Sequence, residues 1–242
     1  MKYQQIGNIA IFNKITKKEA RKFLKKFPRI KTICIKTGKI KGKLRKPQIK
    51  VVESRVKKKK TLTIHKELGI LYKIDVKKIM FAKGNISERH RIAKIAKKNE
   101  TVLDMFAGIG YFSLPLAKKV KKVYATELNP QAYKFLLENI KLNKVNIKAI
   151  KGDCAKIVPR LKIKADRIIM GYLPNAFPYL KTAFRAAKKG TIIHYSCLVY
   201  KKNAKREIKK LVSEIKKVRL MKAVKVKSYS PALDHYVLDI KL

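Results

Sequence analysis

The sequence is short of acid. Asp and Glu number 15 against 63 Lys and Arg in 242 residues, a net charge of 63 − 15 = +48. Thermophile-style ion-pair networks need Glu beside Lys, so pairing does not account for the excess cation. Long apolar runs are missing too: none approaches the ~20 residues that a membrane-spanning helix requires. The opening MKYQQIGNIAIF has no apolar core followed by a cleavage site, so no secretory leader is expected. The three cysteines, Cys34, Cys154 and Cys197, form no CxxC pair, and an odd count does not suit a disulfide framework. The four histidines, His65, His90, His194 and His235, have no ligand-like spacing, and no metal is expected. His194 and His235 fall inside predicted core strands, where a hydrogen-bonded structural role is expected. A reducing, cytoplasmic setting is the expectation.

What is present is a core. Apolar residues make up 46% of the chain, which excludes a wholly disordered basic tail. A folded chain of this charge repels itself unless an anion screens it. Nucleic acid is the expected partner, because phosphates bind Lys and Arg with release of counterions. An anionic membrane surface is the competing anion. Lysine outnumbers arginine, and lysine is a point-charge binder of phosphate. Most of this charge is therefore expected to position a nucleic acid, not to read its bases.

The chain divides into two textures. Residues 6–12 predict a strand beside a Gly-Asn turn, 17–27 a helix stopped by Pro28, and 31–38 a strand. The Lys41–Lys60 stretch reads as an exposed, mobile basic surface, and 61–75 as two short strands around a glycine turn. Residues 1–78 are thus expected to form a small basic α+β domain that contacts RNA. From 79 to 242 the rhythm is βα. A helix capped by Ser87 precedes strands over 101–106, 121–128, 146–153, 166–171 and 191–197, with helical stretches between them. Strands 220–230 and 235–242 are separated by a link too short for a crossover helix. The pattern predicts an α/β, Rossmann-like doubly wound sheet ending in an antiparallel hairpin.

With acid so scarce, its placement is informative. Asp104, Glu127, Asp153 and Asp166 are expected at the C-terminal ends of parallel strands, where ligands of open α/β sheets bind. VLDMFAGIGYF (102–112) is a strand, a glycine loop and a helix, in which Gly108 and Gly110 allow close backbone approach. It lacks the third glycine of the dinucleotide fingerprint and the lysine of a P-loop. Glu127, at the next strand tip, can accept both hydroxyls of a ribose. Asp153 can accept from the amine of an adenine, with the Cys154 backbone against the ring edge. A lone acid at a strand tip is ordinarily a helix cap; three in succession beside a glycine loop call for a nucleoside. Asp166 and the Cys154 thiol are expected to be structural and unreactive.

These motifs resemble the class I S-adenosylmethionine-dependent transferases. Within them the chain is similar, nearly end to end, to the archaeal group holding the tRNA guanine-37 N1-methyltransferases and the wybutosine-synthesising aminocarboxypropyltransferases. The similarity is carried by IGNIAI, FAKGNISERHRIA (81–93), LDMFAGIG, HYSCL (194–198) and SPALDHYVLDI (230–240). The methyltransferases carry Met-Asn-Leu-Pro at the fourth strand tip. Here the stretch is Met170-Gly171-Tyr172-Leu173-Pro174, without the amide that holds a guanine edge, which looks like the aminocarboxypropyl branch. The resemblance implies S-adenosylmethionine as donor, held by Asp104, Phe106, Gly108, Gly110, Glu127, Asp153 and Cys154. It places Ser87 and Lys94 near the methionine or ribose part, and Tyr172 against the target base. It implies tRNA as partner, engaged at the anticodon region, with no membrane or protein partner. Two alternatives stay open: a guanine-37 N1-methyltransferase with an atypical loop, and an RNA-binding module without catalysis.

Overall fold

The computed structural model describes residues 1–40, 42 and 44–242. The chain forms two compact units, Met1–Ala82 and Lys83–Leu242; on sequence alone the division falls at 78/79. No helix among the described residues is long and apolar enough to cross a membrane.

The first unit begins with a hairpin where one strand was expected. β1 (Tyr3–Ile6) pairs antiparallel with β2 (Ile9–Phe12) around Gly7-Asn8. Gly7 has φ +54°, and a Cβ there would lie 2.2 Å from Thr63 Oγ1 and 2.5 Å from the Ile64 carbonyl oxygen. Only glycine meets both demands. Helix α1 (Lys17–Lys26) starts at a capping box, in which Thr16 and Glu19 satisfy each other's backbone N–H. It crosses over to β3 (Thr32–Lys36), parallel to β2, so the sheet runs β1-β2-β3-β4. Ala20 and Leu24 of the helix bury against Ala10, Phe12, Ile30 and Ile33. Within the expected mobile basic stretch, the Lys41 and Lys43 positions lie outside the described residues. One part of the remainder corrects the expectation: Ile49–Ser54 is strand β4, paired antiparallel with β3 and packing Val52 on the core, while Lys57–Lys60 are exposed as expected. Alternate apolar residues sufficed for a strand despite the flanking lysines. β5 (Leu62–Glu67) and β6 (Ile70–Asp75) form the expected antiparallel pair. His65 of β5 accepts the Gly7 N–H through Nδ1 at 3.2 Å.

The second unit is one seven-stranded sheet in the order β12-β13-β11-β10-β7-β8-β9. Its strands are β7 (Thr101–Asp104), β8 (Lys122–Glu127), β9 (Ile147–Lys151), β10 (Ala165–Met170), β11 (Ala187–Tyr200), β12 (Arg219–Ser228) and β13 (Leu233–Lys241). β7 to β11 run parallel, while β13 lies antiparallel between β11 and β12. The strand order reverses between β7 and β10, which makes their C-terminal tips the switch point of the sheet. The helices are α2 (Ile86–Ile95), α3 (Ser113–Ala117), α4 (Pro130–Asn143), α5 (Cys154–Ile157), α6 (Leu180–Ala186) and α7 (Ala204–Glu214). Proline at the first turn of α4 suits a position whose N–H has no helical partner. One face of the sheet packs Leu103, Ile168, Met170, Ile193, Leu238 and Ile240 into the main core.

Candidate functional site

The glycine loop follows β7 directly. The Met105 N–H donates to the Ile169 carbonyl at 3.1 Å and the Ala107 N–H to the Thr126 carbonyl at 3.0 Å, so the loop lies across the tips of β10 and β8. Gly108 and Gly110 have φ +59° and +98°, and a Cβ on either would strike Tyr111 or Leu114 below 3 Å. Asp104 supports this loop from inside. It is fully buried; Oδ2 accepts the Ser113 hydroxyl at 2.6 Å and Oδ1 the Phe106 N–H at 3.3 Å. Burial pushes its carboxyl up to about 6, against these hydrogen bonds and with help from nearby Glu127. The Asp104 side chain is thus enclosed, and it shapes the loop that faces outward.

Glu127 ends β8, half-buried, and grips the same loop. Oε2 accepts the Gly108 N–H and Oε1 the Asn129 N–H, both at 2.7 Å. Burial raises its carboxyl above the usual range despite these bonds. Each oxygen retains a lone pair for a further donor. Asp153, past the tip of β9, caps α5 by accepting the Ala155 N–H through Oδ1 at 2.9 Å. Cys154 is buried, which pushes its thiol up to about 12 and keeps it protonated. Asp166 sits at the beginning of β10, not at its tip, which corrects its expected place. It accepts the Thr101 N–H and pairs with Lys188, a structural tie.

At the tip of β10 three aromatic rings close together. Phe106 and Tyr172 stack with centroids 5.0 Å apart at 24°. Tyr179 stands edge-on to both, at 5.0 Å and 5.9 Å. Asp153 and Cys154 are close enough to Tyr179 to help burial hold its phenol protonated. Tyr179 therefore joins the glycine loop, the Asp153 tip and the Tyr172 loop into one cluster. Sequence reading passed over it, because only the fold brings its ring against Phe106 and Tyr172.

Helix α2 is capped two residues earlier than expected. Asn85 is the N-cap and makes no side-chain cap bond, while Ser87 is an exposed first-turn residue. Lys94 is exposed in the last turn, its carbonyl taken by Lys119. The helix thus carries Ser87 toward the strand tips and leaves the Lys94 backbone at the opposite end.

Six buried or half-buried groups lock α2 to the sheet. Arg91 of α2 donates to both oxygens of Glu88 (2.6 and 2.7 Å) and both of Asp239 (2.7 and 2.9 Å). Asp239 meets His194 Nδ1 at 2.6 Å, His194 Nε2 meets Arg167 at 2.6 Å, and Arg167 donates to both oxygens of Glu100 (2.7 and 2.8 Å). A guanidinium only donates, so His194 Nε2 accepts and Nδ1–H donates to Asp239. Burial holds this imidazole neutral. Burial also acts to raise the Asp239 carboxyl, but the bonds from His194 and Arg91 outweigh it and hold it well below the usual range. His194 is the hydrogen-bonded structural residue expected. His235 is not: it is 3% exposed, and among the described residues neither ring nitrogen has a hydrogen-bond partner. The six-group chain escaped sequence reading, although an arginine inside an apolar strand and three of the scarce acids were its visible signs.

These residues suit an adenosyl donor. Two tips carry carboxylates with acceptor capacity for hydroxyl and amine groups, and a glycine loop without side-chain bulk lies beside them. Among the described residues no group of His, Cys, Asp or Glu is arranged to hold a metal ion.

The family model of the TRM5/TYW2 methyltransferase domain matches residues 63–226. A tRNA(Phe) (4-demethylwyosine(37)-C(7)) aminocarboxypropyltransferase of Methanocaldococcus jannaschii is 43% identical over all of this chain and 98% of its own length. The crystal structure of M. jannaschii TYW2 in complex with AdoMet has 38% identity and a TM-score of 0.76, covering 99% of this chain and 98% of that one. P. horikoshii TYW2 in complex with MeSAdo has 34% identity and a TM-score of 0.83, covering 99% and 90%. The glycine loop, the successive acidic tips and this end-to-end similarity agree, and the chain belongs to the TRM5/TYW2 family.

Proposed function

We propose that this chain is an S-adenosylmethionine-dependent tRNA aminocarboxypropyltransferase. It attaches the 3-amino-3-carboxypropyl group to C7 of 4-demethylwyosine at position 37 of phenylalanine tRNA and leaves methylthioadenosine. The observation that carries this reading is the similarity over the full length of both chains to a relative of that name.

When bound, the donor supplies a sulfonium with three activated carbons: the methyl, the ribose C5′ and the Cγ of the arm. Which carbon reacts depends on which one faces the nucleophile in line. In the net reaction the Cγ–S bond breaks with its electron pair going to sulfur, a C–C bond forms at C7, and the C7 proton is lost to solvent. The protein's part is positioning. Glu127 accepts the ribose hydroxyls and Asp153 the adenine amine, with the Cys154 backbone against the ring edge. Gly108 and Gly110 keep side chains out of the way, and Asp104 holds their loop. Ser87 and the first turn of α2 face the methionine part, Lys94 being the weaker member of that set. The Phe106–Tyr172–Tyr179 cluster offers flat faces to the target base. The lysine-rich first unit grips the tRNA backbone near the anticodon. The enzyme acts in the cytoplasm.

Incubation with tRNA and donor labelled separately in the methyl and in the carboxyl carbon tests this. Carboxyl label in the tRNA is expected; methyl label there overturns the reading in favour of a guanine-37 N1-methyltransferase. No label together with no donor binding by calorimetry leaves only an RNA-binding module.

A further inference from the structure

Among the described residues, the buried side-chain atoms of the second unit without a hydrogen-bond partner include two groups near the start of α2 and the start of β13. One is the Asn85 Oδ1 atom; the other is the whole ring of His235, at Nδ1 and Nε2. A buried polar group left unpaired loses its water without replacement, so these two invite a partner.

The fold brings both to the strand-tip edge of the sheet, on either side of Lys227. His235 pairs with Leu198 on one side and Lys227 on the other, and these side chains share a sheet face. Asp239, four residues along β13, lies on that same face and is held by Arg91 of α2. From this anchor, Asn85 lies six residues toward the helix start, ~9 Å at the helical rise. His235 lies four residues in the same direction, ~13 Å at the strand rise. Both therefore reach the strand-tip edge. There Gly84 meets the Lys227 side chain, a Cβ on it coming within 2.8 Å of Lys227 Cδ. The first turn of α2, with Ser87, opens at the same level.

We infer that Asn85 and His235 form the subsite for the amino-acid end of the donor's aminocarboxypropyl arm. This rests on the arm-transfer reading above and adds two residues to it. Burial and neighbouring Lys227 push the His235 imidazole down to about 4, so at pH 7 it offers one N–H and one bare nitrogen. With Asn85 Oδ1 the subsite has two acceptors beside one donor. An ammonium with its neighbouring carboxylate matches that set: N–H groups for both acceptors, an oxygen for the imidazole N–H. The target base matches it poorly. A guanine whose N1 and exocyclic amine are closed into a third ring keeps at most one N–H. Fixing the far end of the arm leaves Cγ as the carbon that can be turned toward the base.

The test compares two ligands on the full-length protein by calorimetry: S-adenosylmethionine, and methylthioadenosine, which lacks the arm. His235→Phe keeps a ring and removes both nitrogens. Asn85→Leu removes the amide at a cap position that makes no cap bond, and serves where His235→Phe fails to fold. Each folded variant is expected to bind S-adenosylmethionine roughly tenfold or more weakly and methylthioadenosine as the unaltered protein does. Equal loss for both ligands assigns the residues a structural role and overturns the inference, and so does no loss for either. Transfer of carboxyl label by the unaltered protein is scored separately, so failure of the arm-transfer reading is distinguishable from failure of this subsite.

Discussion

A carboxylate sealed beneath a ligand loop makes stability depend on its proton. Asp104 is pushed up to about 6 from an ordinary value of 3.8. A raised value in the fold means that the contribution to stability is full below about pH 4 and is lost as pH rises through 6. Asp104→Asn removes the ionisable group while keeping an acceptor for the Phe106 N–H. The variant is expected to be more stable than the unaltered protein by roughly 1–3 kcal/mol at pH 7, with the gain vanishing near pH 4. Urea unfolding at the two pH values measures it, and an equal difference at both would refute the assignment. Glu127 differs from Asp104 in its partners, because each of its oxygens holds a loop backbone N–H. Glu127→Gln keeps one accepting oxygen, so either the Gly108 or the Asn129 N–H loses its partner. Affinity for S-adenosylmethionine is expected to fall about tenfold or more, read by calorimetry.

Among the elements, α2 depends on charge for its seat. The chain from Glu88 to Glu100 runs through two arginines, and removing one strands acids in a buried setting. Arg167→Ala leaves Glu100 without both of its bonds from Arg167 and His194 Nε2 without its donor. A loss of about 3–5 kcal/mol is expected, as a lower unfolding midpoint. Arg167→Lys is expected to recover only part of it, since an ammonium cannot span both Glu100 oxygens. The βα series was legible because alternating apolar strands and helical spacing are local. So was the hairpin, from the shortness of the PALD link, and so were the glycine loop and its acidic tips. Strand β4 was not, because the lysines around Val51 and Val52 mask an alternation that becomes decisive only beside β3. Nor was the helix start at Asn85: Asn and Ser are comparable cap residues, and the 3₁₀ turn over Lys83–Asn85 that leads into α2 decides between them. The Arg91–Asp239 and Arg167–His194 contacts join residues 148 and 27 positions apart, a pairing that no local pattern announces.

For the whole molecule, the charge of +48 dominates its dealings with RNA. Affinity for tRNA is expected to fall linearly on a log–log plot against salt. Lys57 to Lys60 are all exposed. Changing all four to glutamine is expected to lower the magnitude of that slope by about 3 without changing which label reaches the tRNA. Filter binding at several salt concentrations gives the slope. An unchanged slope would remove this stretch from the RNA-binding surface.

The seven-stranded sheet also has two rims, β12 and β9, each paired on one side only. A bare rim is a template on which another copy's strand can zip. β12 carries Arg219, Lys222, Lys225 and Lys227, and β9 carries Lys148 and Lys151. Any second copy approaching a rim meets cations like its own. The surplus that draws the enzyme to RNA thus also guards it against self-templated aggregation when no RNA is near.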